Sequence, residues 1–254
     1  MCGIIAIASP PSNSFSGTLP DVPTPATGFN TPILDQIDFE EFYSVYKDRR
    51  RYDAWRRFAA GLAESAVADS RQGVNGTRSR NRGELDLRWR IERDLLSLVD
   101  AVAELLHDSK RELPAQGVRM GWLVELALRA LSRIEVRGRD SAGLTLLVWP
   151  RQNAGPSDRR TARRSPASLP HTLIRQSLDP AGGLALTYKV AEEVGALGYN
   201  DAALRRMIDG DAAFGELAAS DPGYLLVVGH TRWASIGEIK IGRASCRERV
   251  CGVV

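Results

Sequence analysis

The chain has 254 residues, 43% of them hydrophobic and 26% charged, enough for a sizeable core in one large domain or two small ones. A formal net charge of +3 excludes a strongly basic protein built for nucleic acid or a membrane surface, and no run approaches the ~18 apolar residues of a membrane span. The three cysteines, Cys2, Cys246 and Cys251, lie at the extremes of the chain; they exclude a disulfide framework and point to a reducing, cytoplasmic compartment.

In chain order, the apolar run Gly3 to Ala8 predicts a buried strand; it lacks the length and basic flank of a signal peptide. Ser9 to about Pro32, rich in Pro, Ser, Thr and Gly, predicts a linker or exposed loop. Asp35 to about Ala68 predicts one helix carrying Phe39, Phe42, Tyr46, Trp55 and Phe58, and Arg71 to Gly83 a polar break with a turn at Asn75-Gly76. A second helix is expected over Leu85 to Leu106, and a third after Gly121, where Leu123, Leu126, Ala127, Ala130, Leu131 and Ile134 share a face. A polar turn, Arg137 to Gly143, then leads into a strand over Leu144 to Trp149. Gln152 to Pro170 reads as a disordered basic loop whose arginines are solvated rather than bound to nucleic acid. His171 to Gln176 predicts a strand, Asp201 to Ala219 a helix closed by Asp221-Pro222-Gly223, and Tyr224 to Val228 a buried strand entering Gly229 to Ser235. Periodicity alone gives a mixed α and β chain.

The chemistry concentrates in three places. Cys2 follows the initiator methionine, so removal of Met1 would make it the N-terminal residue. An N-terminal cysteine holds nucleophile and base together, because its α-amine titrates near 8, about where a thiol of pKa ~8.5 needs a proton acceptor. On position alone, Cys2 is more simply an incidental small residue at a strand start. The other two places, around Arg137 and Arg232, each set an arginine beside glycines; glycine lets backbone approach a ligand, and a guanidinium offers a carboxylate a two-pronged donor. His107 and His171 read as surface residues, and His230 as a structural hydrogen-bonding residue that positions Arg232. Cys246 and Cys251 lack the further ligands of a zinc site, and no metal or cofactor is expected.

Met1-Cys2-Gly3-Ile4-Ile5, the stretch Leu126 to Gly143 with its Arg-Gly-x-Asp-Ser-Ala-Gly core, and Gly229-His230-Thr231-Arg232-Trp233-Ala234 together resemble the glutaminase domain of class II glutamine amidotransferases. Within that family the match is to the glutamine:fructose-6-phosphate aminotransferase (glucosamine-6-phosphate synthase) branch. Phosphoribosyl-transferring members usually carry Tyr where this chain has Trp233, and asparagine-forming members carry Arg-Gly-Pro-Asp at Arg137 to Asp140. The resemblance covers residues 1–8, about 120–150 and about 185–238. It implies an α+β fold, the N-terminal-nucleophile hydrolase αββα sandwich. It implies Cys2 as nucleophile toward L-glutamine, Arg232 as the site for the substrate α-carboxylate, Trp233 in the loop over the substrate, and Arg137, Asp140 and His230 supporting the site. The partner implied is a phosphosugar isomerase (synthase) domain that receives the ammonia.

Three departures from the family pattern stand out. Residues from about 9 to 118 intervene where the family has a short connection, and read as a helical insertion into an amidotransferase domain spanning 1–240. After Trp233 the family's Ala-Thr-His-Gly is replaced by Ala234-Ser235-Ile236-Gly237. The family's oxyanion-donating Asn-Gly and its later amine-binding Asp have no counterpart beyond Gly237, and residues 241–254 read as a non-native tail, so the expectation is an incomplete, C-terminally truncated domain of little activity. The alternatives are another class II amidotransferase, such as the phosphoribosyl type, and a non-catalytic binding or regulatory protein that uses the helical insertion as its surface.

Overall fold

A computed structural model describes residues 3–9, 38–72, 77–108, 110–137, 140–149, 171–177, 183–191, 198–220 and 222–232. Its elements are β1 (Gly3–Ser9), α1 (Phe39–Lys47), α2 (Arg49–Gln72), α3 (Thr77–Arg90), a π-helical turn (Ile91–Leu96), α4 (Ser97–Leu105), α5 (Ala115–Ile134), a 3₁₀ turn (Glu135–Arg137), β2 (Ser141–Val148), β3 (His171–Ser177), β4 (Leu184–Ala191), α6 (Tyr199–Asp209), α7 (Ala212–Ala219) and β5 (Leu225–Arg232). They divide into two compact units, Asn13–Glu112 and, in two pieces, Met1–Ser12 with Leu113–Val254. The fold is α+β. The expected linker (9–32), basic loop (152–170) and tail (241–254) lie, apart from Ser9 in β1, outside the described residues.

The all-helical unit begins where Asp38 caps α1, its carboxylate accepting from the Glu41 backbone N–H at 2.9 Å. The expected single helix over 35–68 is two helices. Asp48 is extended (φ −109°, ψ 104°), which ends α1, and its carboxylate accepts from the Arg50 N–H at 2.8 Å, which starts α2. The expected break over 71–83 is also largely helical, since α2 runs to Gln72 and α3 begins at Thr77. Polar composition misleads there: Arg and Gln are good helix formers, and no proline stands between Pro32 and Pro114. Where one helix was expected over Leu85 to Leu106, α3 and α4 run on through the π turn, which buries Ile91, Leu95 and Leu96.

The core of this unit is Phe42, Val45, Tyr46, Trp55, Leu62, Leu95, Val99 and Val102. The buried carboxylates of Glu41 and Asp108 are paired. The Glu41 carboxylate accepts from Trp55 Nε1 (3.2 Å) and Arg51, and Tyr46 donates its hydroxyl to Asp108 at 2.9 Å. Arg111 lies over the rings of Tyr46 and Tyr52 and donates to the Val45 and Tyr46 carbonyls. Burial, and then the hydrogen bond to Asp108, push the Tyr46 hydroxyl far up from the usual phenol range. These interactions are those of a scaffold.

The second unit is built on a five-stranded antiparallel sheet, in the order β1-β5-β2-β4-β3. Strand β4 was not foreseen from sequence, although Leu186, Tyr188 and Val190 alternate with Thr187 and Lys189. Strand β5 extends beyond the expected Val228 as far as Arg232. One face of the sheet carries Leu144, Leu146, Leu186, Tyr188, Leu225 and Val227, all buried. Helix α5 lies on this face over β1 and β5, where the Leu131 side chain fills the space a Cβ on Gly229 would need. Helix α6 covers β4 and β2. The opposite face is less covered: Ile4 is 76% exposed, and Thr145, Leu147, Leu226 and Val228 are half-buried.

Helices α6 and α7 replace the one helix expected over 201–219, because Asp211 interrupts it. That buried carboxylate caps α7 by accepting from the Ala213 N–H (3.1 Å) and ties it to β4 by accepting from the Tyr188 hydroxyl (2.9 Å). Glu125 of α5, 1% exposed in its side chain, joins α5 to α6 through Arg205 and pairs with Arg129 one turn on. Among the described residues no helix is long and apolar enough to cross a membrane.

Candidate functional site

Strand register brings the three sequence blocks to one end of the sheet. Gly3, the first residue of β1, pairs with Thr231 of β5, and Arg232 at the end of β5 pairs with Ser141 at the start of β2. Just before Ser141, Asp140 donates its backbone N–H to the Arg232 carbonyl at 3.1 Å. Segments 91 residues apart (Ser141 and Arg232) and 228 residues apart (Gly3 and Thr231) thus meet as strand partners.

The individual residues fall as follows. Arg232 and Asp140 are half-buried at this end. His230, also on β5, is 6% exposed, and Arg137 contributes the last backbone position of the 3₁₀ turn that follows α5. Cys2 and Trp233 lie outside the described residues, the first immediately before β1 and the second immediately after β5.

Alternation along the strands assigns the faces. Pairing puts Ile4, His230 and Gly143 in one row and Ser141 and Arg232 in the next, on the face turned away from α5. Thr231 and Ala142 point to the other face, into a narrow crevice with no room for a water molecule, lined also by Leu131, Asn200, Asp201 and Leu204. Thr231 Oγ1 is buried there with no hydrogen-bond partner among the described residues. Glu135 borders the crevice, but both its oxygens are engaged by the backbone N–H groups of Gly198 and Asn200 at the start of α6. Burial pushes the Asp201 carboxyl up, while Arg205, 3.1 Å away, pulls it down. This crevice joins helices to sheet and is not a substrate pocket.

Sequence reading missed Lys189, which is 8% exposed on β4 in the same row as Gly143. Its signal was a single cation in an alternating apolar segment. No group of three His, Cys, Asp or Glu side chains that could hold a metal ion occurs among the described residues.

The buried imidazole gives a pH signature. Burial, and then the charge of Lys189, hold His230 below its ordinary value of 6.5. The unfolded chain therefore takes up this proton before the folded one does. The stability from His230 is complete above pH ~6.5 and is lost as pH falls through 6.5 toward the depressed folded value. The urea midpoint is expected to fall between pH 7.5 and 5.5 in the parent and to fall less in His230→Gln; equal slopes would refute this. Asp201, whose folded value is raised, acts in the opposite sense.

Compared with models of known protein families, with curated proteins and with solved structures, the chain shows no match.

Proposed function

We propose that this chain carries the glutamine-hydrolysing part of a class II glutamine amidotransferase of the glutamine:fructose-6-phosphate aminotransferase type. One observation carries the reading: Gly3 next to Cys2, the Asp140-Ser141 turn and Arg232, the core of the three blocks of the resemblance, converge at one end of the sheet. A site assembled from distant segments by strand register is a stronger basis than three motifs in a row.

The chemistry proposed for this end is acyl transfer. With Met1 removed, the α-amine of Cys2 takes the thiol proton and the thiolate attacks the side-chain amide carbon of L-glutamine. The C–N bond of the tetrahedral intermediate breaks, and nitrogen leaves with a proton as ammonia. Water then cleaves the γ-glutamyl thioester, giving glutamate and the free thiol. Arg232 receives the α-carboxylate through a charge-assisted pair, and the Asp140 N–H, bonded to the Arg232 carbonyl, fixes the backbone from which it reaches. Trp233 belongs to the covering loop, and Arg137 and His230 support the wall. In the αββα sandwich that the reading entails, a second sheet lies on the face bearing Ile4, Thr145 and Val228. The ammonia goes to a phosphosugar isomerase domain, and the compartment is the cytoplasm.

The test is covalent capture. The purified chain should already lack Met1 and, incubated with a diazoketone analogue of glutamine, gain one adduct on Cys2 by intact and peptide mass. Cys2→Ser should gain none, and Arg232→Ala should react at least tenfold more slowly. Retained Met1, or labelling that spreads over Cys246 and Cys251 at the rate of Cys2, would overturn the reading.

A further inference from the structure

On the face of the sheet turned away from α5, five backbone-paired positions form one row: Ile4 of β1, His230 of β5, Gly143 of β2, Lys189 of β4 and Thr172 of β3. The glycine is the gap in that row. A methyl group built on Gly143 would stand 2.3 Å from His230 Cε1 and 3.0 Å from Nε2, so the imidazole lies across β2, in space that any other side chain would claim. In that direction the next residue of the row is Lys189. Both side chains are buried, at 6% and 8% exposure, and Arg232 stands one row nearer the sheet end on the same face.

We propose that Gly143, His230 and Lys189 form one positioning unit, in which the glycine admits the imidazole, Lys189 keeps it seated, and the seated ring sets how β5 presents Arg232. The physical basis is charge and space. An uncharged ring fits a closed gap beside an ammonium; an imidazolium there would face a like charge without water to screen it. The charged groups toward the ring are Lys189 from β4 and Arg232 from β5 itself. Ile4 of β1 and Ser141 and Thr145 of β2 bring none, and Asp140 lies at the sheet end, bonded through its backbone to Arg232. Burial and Lys189 both act to keep the ring neutral. The unit concerns how Arg232 is aimed; it rests on the amide-hydrolysis reading only for which ligand Arg232 meets, and its test does not use that activity.

The chain has three histidines, so the ring signals of His230 are assignable in two-dimensional NMR by comparison with His230→Gln. In the whole chain, the His230 titration midpoint should lie below the ordinary histidine value, move up in Lys189→Met and return in Lys189→Arg. A midpoint unchanged by Lys189→Met would overturn the role of the lysine. For the gap, Gly143→Ala should lower the thermal midpoint, and should lower it less when introduced into His230→Ala than into the parent, because the ring it collides with is gone. An equal loss in both backgrounds would show that the glycine does not serve the histidine. Neither outcome depends on glutamine turnover, so failure here and failure of the acyl-transfer reading are separately visible.

Discussion

Purified, this chain is expected to hydrolyse L-glutamine at least ~10² to 10³-fold more slowly than an amidotransferase with a complete pocket, the range that removing one oxyanion donor typically costs, while still reacting once with a glutamine-like electrophile at Cys2. The two results separate because they require different groups. Alkylation needs a thiolate and a place for the α-carboxylate, which Cys2 and Arg232 supply in the proposed reading. Turnover also needs donors aimed at the oxyanion of the tetrahedral intermediate, formed twice per cycle. Within these 254 residues no asparagine follows Gly237 to serve this role: the last is Asn200, which lies at the start of α6 with its backbone N–H bonded to Glu135. The last aspartate of these 254 residues, Asp221, precedes β5, so this polypeptide brings none after Arg232 to hold the substrate amine. A steady-state ammonia-release assay beside a single-turnover mass measurement distinguishes the cases. Rates like those of a complete enzyme would mean that other groups stabilise the oxyanion, and the pocket would have to be redrawn.

Elements with one strong period were legible in the sequence. Helix α5 was, because Leu123, Ala127 and Leu131 mark one face, and β2 and β5 were, because apolar runs follow turn residues. Boundaries set by a single side chain were not. Asp48 and Asp211 read as ordinary polar residues inside helical patterns; only the fold shows that their carboxylates cap the next helix. Strand β4 escaped because Thr187 and Lys189 dilute its apolar character; both are buried in the sheet. The site divides in the same way. Arg232, Asp140 and His230 were named from motif, but their meeting at one sheet end is a property of register, which no local pattern encodes. Lys189 showed only as a lone cation in an apolar segment, because the role proposed for it depends on a glycine of the neighbouring strand.

Gly117→Ala should be among the most destabilising single-methyl changes in the sheet-bearing unit. In a helix the exchange of glycine for alanine ordinarily helps by up to about 1 kcal/mol, since alanine has less backbone freedom to lose. At Gly117 of α5 the added Cβ would stand 1.9 Å from the Ala218 carbonyl oxygen and 2.8 Å from its carbon, both backbone atoms of α7. No rotamer relieves a contact with main chain, so α7 must move away from α5. Asp211, at the start of α7, is held by the Tyr188 hydroxyl and by the Ala213 N–H, so the shift also strains those buried bonds. Overpacking of this kind costs about 1–3 kcal/mol, occasionally more, which exceeds the helix gain. Gly215→Ala is the internal control: it lies within α7 with nothing inside 4 Å of the added methyl, and should stabilise by roughly 0.5–1 kcal/mol. Chemical denaturation of the two variants beside the parent should therefore give midpoints displaced in opposite directions. Stabilisation by both would mean that α5 and α7 do not approach through Gly117.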